Sequence, residues 1–90
     1  MSTVRKRVVV HGDVQGVFFR DTTRREAEGA GVAGWVTNRP DGAVEAVFEG
    51  EAAAVERMVA FSQEGPGQAD VADVEVSDEE PEGLSGFEVR

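Results

Sequence analysis

Two glycines, Gly12 and Gly16, are followed four residues later by Arg20, where a valine-rich stretch gives way to a helical one. The segment reads HGDVQGVFFRDTTRREAEGAG, from His11 to Gly31. Glycines allow a tight turn with amides pointing inward, and successive N–H groups at a helix start form a nest for an anion. A guanidinium at the rim of that nest offers a two-pronged fork suited to phosphate. The bland alternatives are a purely structural strand-to-helix loop and a surface arginine paired with Asp21 or Glu28. The second candidate is Asn38, the single asparagine of the chain, just before Arg39-Pro40-Asp41-Gly42. Its bland reading is a turn-former. In a split βαβ sheet the first and second strands are expected to run antiparallel with the third between them, and spacing does not show whether Asn38 approaches the glycine loop.

Composition narrows the chemistry. Ninety residues suit a single domain, 1–90, with one core. There is no cysteine and one histidine, so thiol nucleophiles, disulfides and His-based metal clusters are not expected. No cofactor is implied. No apolar run approaches a membrane span, and Val8 to Val10 is too short for a secretion signal, so the basic N-terminus reads as a strand of a cytoplasmic protein. The net charge is −9 and uneven: residues 1–40 hold seven Lys/Arg against four Asp/Glu, residues 41–90 two against fourteen. An acidic surface disfavours nucleic acid and anionic lipid, while the basic residues share the half that holds the glycine loop. A monomer is expected of so charged a small domain.

The elements that must position these residues follow from periodicity. Val4–His11 alternates as a strand with Lys6, Val8 and Val10 on one face. Asp21–Glu28 reads as a helix stopped by Gly29 and Gly31. Val32–Asn38 and Ala43–Gly50 are strands joined by the Pro-Asp-Gly turn, with Val44, Ala46 and Phe48 facing one way. Glu51–Gly65 is a helix with Ala52, Val55, Met58, Val59 and Ser62 inward. Asp70–Ser77 places Ala72, Val74 and Val76 on one face, and Gly86–Arg90 is a short last strand with Phe87 and Val89 inward. The order β-α-β-β-α-β plus a short strand predicts an α+β, ferredoxin-like sandwich: an antiparallel sheet with two helices on one face. Trp35, Phe48, Phe61 and Phe87 are expected in the core, Met58 as a filler. His11 reads as structural, since nothing beside it makes it a base.

At this point GDVQGVFFR and GWVTNRPDGAVEAVFEG resemble the two signature segments of the acylphosphatase family. The resemblance runs nearly end to end, through helix lengths, the RPDG hairpin, the acidic penultimate loop and the closing GFEV. It implies that the backbone amides of Gln15, Gly16, Val17, Phe18 and Phe19 cradle a phosphoryl group, that Arg20 clamps it, and that the Asn38 side chain orients the attacking water. Phe18 and Phe19 would also shape the loop. The implied substrate is a small acyl phosphate, with inorganic phosphate or sulfate as a site ligand. Such a mixed anhydride has a good leaving group, so binding the dianion and aligning a water are the main requirements. By the same resemblance a phosphoryl oxygen accepts the water's proton. Two departures stand out: Asp13 occupies a position usually basic in the family, and Ala30 one where leucine is common, so the first helix is expected to pack more loosely.

Two other functions fit parts of the pattern. An accessory module holding carbamoyl phosphate or a related ligand would share the site; such domains are found fused at the front of larger proteins, and a chain of this length favours the free enzyme. A ferredoxin-like RNA binder needs a basic, aromatic sheet, whereas Glu45, Glu49, Asp73 and Glu75 occupy these strands. The absence of isoleucine and the single lysine point to a GC-rich genome, and the acid excess raises salt adaptation as a hypothesis. Its expected consequence is a melting temperature that climbs steeply with added salt as self-repulsion is screened; a flat response removes it.

Overall fold

Strands built on alternating valines need a partner on each edge and an apolar cover on one face, and the sheet supplies both. The computed structural model describes residues 2–16 and 18–90. Along the chain lie β1 (Thr3–Asp13), α1 (Phe19–Ala30), β2 (Ala33–Asn38), β3 (Val44–Glu51), α2 (Ala52–Glu64), β4 (Asp70–Glu79) and β5 (Phe87–Val89). Across the sheet the order is β4-β1-β3-β2-β5. β3 is antiparallel to both β1 and β2. It follows that β1 and β2 run parallel to each other, not antiparallel as expected, because one strand separates them. Nor is the sheet wholly antiparallel: β5 joins the outer edge of β2 in parallel. The sheet is therefore mixed, and the ferredoxin-like α+β sandwich stands.

Both helices cover one face, α1 over β2 and β5, α2 over β1, β3 and β4. Val8, Val10, Val36, Val44, Ala46, Phe48, Val55, Met58 and Phe87 are buried between the layers. Phe87 stacks on Phe48 with ring centres 5.9 Å apart, and Phe61 tilts against Phe19 at 6.3 Å. The expected stripe of α2 holds except at Ala52, which is exposed at the first turn. α1 continues through Gly29 and stops at Gly31, whose N–H donates to the Ala27 and Glu28 carbonyls. Beside Ala30 a groove of about 400 Å³ opens between the helices, reaching Met58 and Phe61.

Pattern and structure part at β4, Gly12, Trp35 and Val89. Pairing of β1 with β4 slips between His11 and Gly12. Ala72 is thrown out of step and exposed; Val71 and Val74 pack on the core, and Val76 on the edge stays 41% exposed. Gly12 thus serves the strand rather than the loop: its φ is 131°, and a Cβ there would lie 2.2 Å from the Asp70 carbonyl oxygen. Trp35 is not core. Val36 faces the helices, so its neighbour must face away. The Trp35 ring sits on the open face with the Arg7 and Arg90 guanidinium carbons 5.5 and 4.9 Å from its centre. Val89, expected inward, is 42% exposed.

The open face is closed by charge. Arg5 and Glu49 lie opposite each other on β1 and β3, exposed by only 5% and 3%. Arg5 also pairs with Glu79 at 2.9 Å, and Arg7 pairs with Glu79 and Glu45. Glu49 accepts three N–H bonds, from Glu82, Gly83 and Leu84, at 2.8–2.9 Å. Burial pushes its carboxyl up, but those amides and Arg5 reverse the effect and hold it below the ordinary carboxylate value. Hydrogen bonds from Arg7 and Arg5 lower Glu79 likewise. With folded-state values depressed, the stability these groups contribute is complete above the ordinary value of 4.5 and drains away as pH falls through the folded values. Replacing Glu49 by Gln is expected to cost about 3 kcal/mol at neutral pH in urea melts, because the three amides lose a charged acceptor and Arg5 loses one of its carboxylates, keeping Glu79 and Glu82. The gap to wild type should close as the medium is acidified.

Candidate active site

The parallel relation of β1 and β2 has a direct consequence: both strands end on the same side of the sheet. β1 runs into the glycine loop there, and β2 ends at Asn38. One cavity of about 240 Å³ is lined by Val14, Gly16, Phe18, Phe19, Arg20, Asp21 and Asn38. Of the residues expected at the site, the structure thus brings together Gly16, Phe18, Phe19, Arg20 and Asn38. Val17 lies outside the described residues. Gln15 does not line the cavity.

Instead, the Gln15 side chain ties the two motifs to each other. Its Nε2 donates to the main-chain oxygens of Arg39 and Ala43, both at 2.8 Å. Those residues flank the turn between β2 and β3, which closes through Gly42 N–H to Arg39 O at 3.1 Å and Arg39 N–H to Ala43 O at 2.8 Å. Asp41 braces the turn by accepting the Ala43 N–H at 3.1 Å and pairing with Arg39 at 3.0 Å. The Ala43 bond and the Arg39 charge hold the Asp41 carboxyl below its ordinary value. Nothing in the sequence announced the Gln15 contact, because it depends on which strands are neighbours.

The loop enters α1 without a conventional cap. Gly16 has φ 78°, and Phe18, the N-cap residue, has φ 59° and ψ 24° with no side-chain hydrogen bond to the helix. The first regular bond runs from Thr22 N–H to Phe18 O at 3.0 Å. The N–H groups of Phe19, Arg20 and Asp21 accordingly have no carbonyl of their own helix to bond, and the positive end of the helix dipole lies there. The acid of that first turn is neutralised: Arg24 reaches Asp21 at 2.9 Å and Glu28 at 3.0 Å, and Arg25 reaches Asp21 at 3.1 Å. Arg24 thereby takes both carboxylates that were candidates for Arg20. Its hydrogen bond keeps the Asp21 carboxyl below the ordinary range. Among the described residues Arg20 makes no ion pair. Its Nη1 donates to the main-chain oxygen of Arg90 at 3.3 Å, which also accepts from Thr37 at 3.1 Å.

Arg90 is a residue that sequence reasoning missed. Its N–H donates to Val36 O at 2.8 Å, carrying the β5 alignment one residue further and bringing its carbonyl to Arg20. His11 is bonded to Glu75 at 2.6 Å and is not among the residues that line the cavity. Asp13 faces Asp70 across β1 and β4, is exposed, and does not line it either. Among the described residues no group of His, Cys, Asp and Glu is placed to hold a metal ion, and no helix is long and apolar enough to cross a membrane.

A ferredoxin-like sandwich thus brings a glycine loop, a helix start, an arginine and an asparagine to one cavity of about 240 Å³. The acylphosphatase family model matches residues 6–89. An acylphosphatase of Haloarcula marismortui is 58% identical over 90 residues, covering 100% of this chain and 99% of the relative. One of Rubrobacter xylanophilus is 61% identical over 89 residues, covering 98% and 81%. The structure of an acylphosphatase from Coxiella burnetii superimposes with a TM-score of 0.93 at 40% identity, over 98% of this chain and 93% of that one. The chain belongs to the acylphosphatase family.

Removing the tie between the two motifs should loosen both. Gln15→Ala removes two hydrogen bonds and is expected to cost about 1–3 kcal/mol in denaturant melts. Gln15→Glu should cost more, since a carboxylate would face two carbonyl oxygens. Equal stability of all three proteins would show the bond to be dispensable.

Proposed function

We propose that this chain hydrolyses acyl phosphates to a carboxylate and inorganic phosphate in the cavity between the glycine loop and Asn38. The loop amides from Gln15 to Phe19 hold the phosphoryl oxygens, and Arg20 adds its fork to the same group. The Asn38 carboxamide holds a water opposite the leaving carboxylate. The water oxygen bonds to phosphorus as the phosphorus–carboxylate oxygen bond breaks, and a phosphoryl oxygen takes the proton. The carboxylate leaves without a general acid because it is already a stable anion. Positioning and charge stabilisation supply the rate. The observation that carries this reading is the meeting of Arg20 and Asn38 on one cavity, with the acids next to Arg20 already paired to Arg24 and Arg25.

We infer further that the protein acts as a cytoplasmic monomer on a small-molecule substrate. It needs no cofactor, engages neither nucleic acid nor membrane, and binds inorganic phosphate or sulfate at the substrate position. The excess of acidic side chains supports this, since polyanions and anionic lipid are repelled beyond the reach of Arg20.

Phosphate release from a synthetic acyl phosphate, with a phosphate monoester as control, tests the reading. Arg20→Ala is expected to lose substrate binding and about 3 kcal/mol or more of transition-state stabilisation, over a hundredfold in kcat/KM. Asn38→Ala should still bind inorganic phosphate and yet fail to turn over. Normal turnover by Asn38→Ala would refute the water-positioning role, and phosphate binding without turnover in wild type would make this a binding module.

A further inference from the structure

The groove of about 400 Å³ between the helices is lined on two sides by residues of different kinds. Ala30 from α1 and Met58 and Phe61 from α2 give it an apolar floor, Met58 buried and the other two half-buried. Arg25, Glu26 and Arg57 line its rim and are exposed. Counting those three, the rim carries one net positive charge on a chain whose total is −9.

Arg57 differs from almost every other cation of the chain. The sequence has eighteen Asp and Glu for nine Lys and Arg. Among the described residues, Arg20 and Arg57 are the two of those nine that make no ion pair. Arg20 belongs to the candidate active site, and Arg57 does not. Its neighbour Glu56 turns to Lys6 at 3.4 Å instead. Gly29 is a second residue that the fold does not require. Glycine inside a helix is less stable than alanine. Its φ is not positive, and a Cβ there would meet nothing within 4 Å. The glycine adds nothing to the packing and leaves the groove open.

We infer that this groove binds a small apolar monocarboxylate, its carboxylate on the Arg57 guanidinium and its body against Met58 and Phe61. A guanidinium presents a carboxylate with a two-pronged fork. The single net charge of the rim matches a monoanion, whereas a dianion would leave one negative charge uncompensated beside Glu26. An aromatic body suits the floor, since both a thioether and a phenyl ring pack favourably on a ring and lose water-exposed surface in doing so. The site is independent of the reaction proposed above. Arg20 and Gly29 are nine residues apart on α1, about 14 Å along its axis.

The test titrates 3-phenylpropanoate into the full chain labelled with nitrogen-15, with the neutral 3-phenylpropanamide as control. Amide shifts are expected to be largest at Gly29, Ala30, Met58 and Phe61. Arg57→Ala, a change at an exposed position, should weaken binding about tenfold, and the neutral amide should bind wild type about tenfold more weakly than the acid. Ala30→Leu fills the groove and should abolish binding while the protein stays folded, as its own spectrum will show. Shifts confined to Gly16, Arg20 and Asn38 would place the carboxylate in the other cavity and overturn the inference. Equal affinity in wild type and Arg57→Ala, or no saturation at millimolar ligand, would overturn it as well.

Discussion

The two hydrogen bonds from the Gln15 carboxamide to the carbonyls of Arg39 and Ala43 are the contact on which the site depends. The loop after β1 and the turn after β2 belong to strands that never touch, because β3 lies between them. Backbone pairing therefore fixes their heights only indirectly, through two successive ladders. A short polar side chain spanning the gap converts that loose relation into a fixed one. Each carbonyl already accepts an N–H within the turn and takes the Gln15 amide as a second donor, so the tie helps the hairpin as much as the loop. Asn38 is one residue before the first of those carbonyls, which means that whatever fixes Arg39 also fixes it.

A second chain of contacts reaches Arg20 from the opposite direction. Glu49, buried on the open face, gathers the N–H groups of residues 82–84. That places the connection between β4 and β5, and so the entry of β5 beside β2. β5 in turn aligns Arg90, whose main-chain oxygen receives Arg20. A carboxylate in three amide bonds and an ion pair thus stands at the start of the path that orients the arginine. The acidic stretch from Asp78 to Glu82 is better understood in this light. It is partly solvated surface, but Glu79 belongs to the Arg5–Arg7 network and the Glu82 N–H to Glu49.

Much of this was legible before any coordinates. Alternation of Val8 and Val10, and of Val44, Ala46 and Phe48, named the inner face of two strands, because the side-chain period of a strand leaves no choice once one face is apolar. The stripe on α2 was legible for the same reason at helical period. What failed was whatever depended on register or direction. The shift at Gly12 moved Ala72 outward, and no local pattern encodes a bulge in the partner strand. Trp35 has the type of a core residue, yet Val36 beside it is the one buried on the inner face, which turns Trp35 outward. The start of α1 came two residues earlier than Asp21 because Phe18, lacking any capping side chain, begins the helix by backbone conformation alone. At the site the residue types were readable, and their meeting was not. That meeting needs β1 and β2 parallel, a property of the whole sheet.

A protein of net charge −9 is an unpromising host for a dianion, yet magnitudes favour binding. A unit charge about 4 Å from Arg20 gains roughly 4 kcal/mol at an effective dielectric near 20. Charges beyond about 8 Å are largely screened at physiological ionic strength, so the net charge acts weakly and the near neighbours decide. Those neighbours are arranged accordingly. Asp21 is paired with Arg24 and Arg25, Glu28 with Arg24, and Asp41 with Arg39. Each acid on α1 or the hairpin tip that holds such an ion pair has had its field largely cancelled at short range, while Arg20 makes no ion pair among the described residues. Asp13, facing Asp70 rather than a cation, is the exception. It stands outside the cavity lining, where water and ions screen it. An acidic surface is compatible with the anion site proposed at Arg20 because pairing works over a few ångströms, and the nearby acids are already paired.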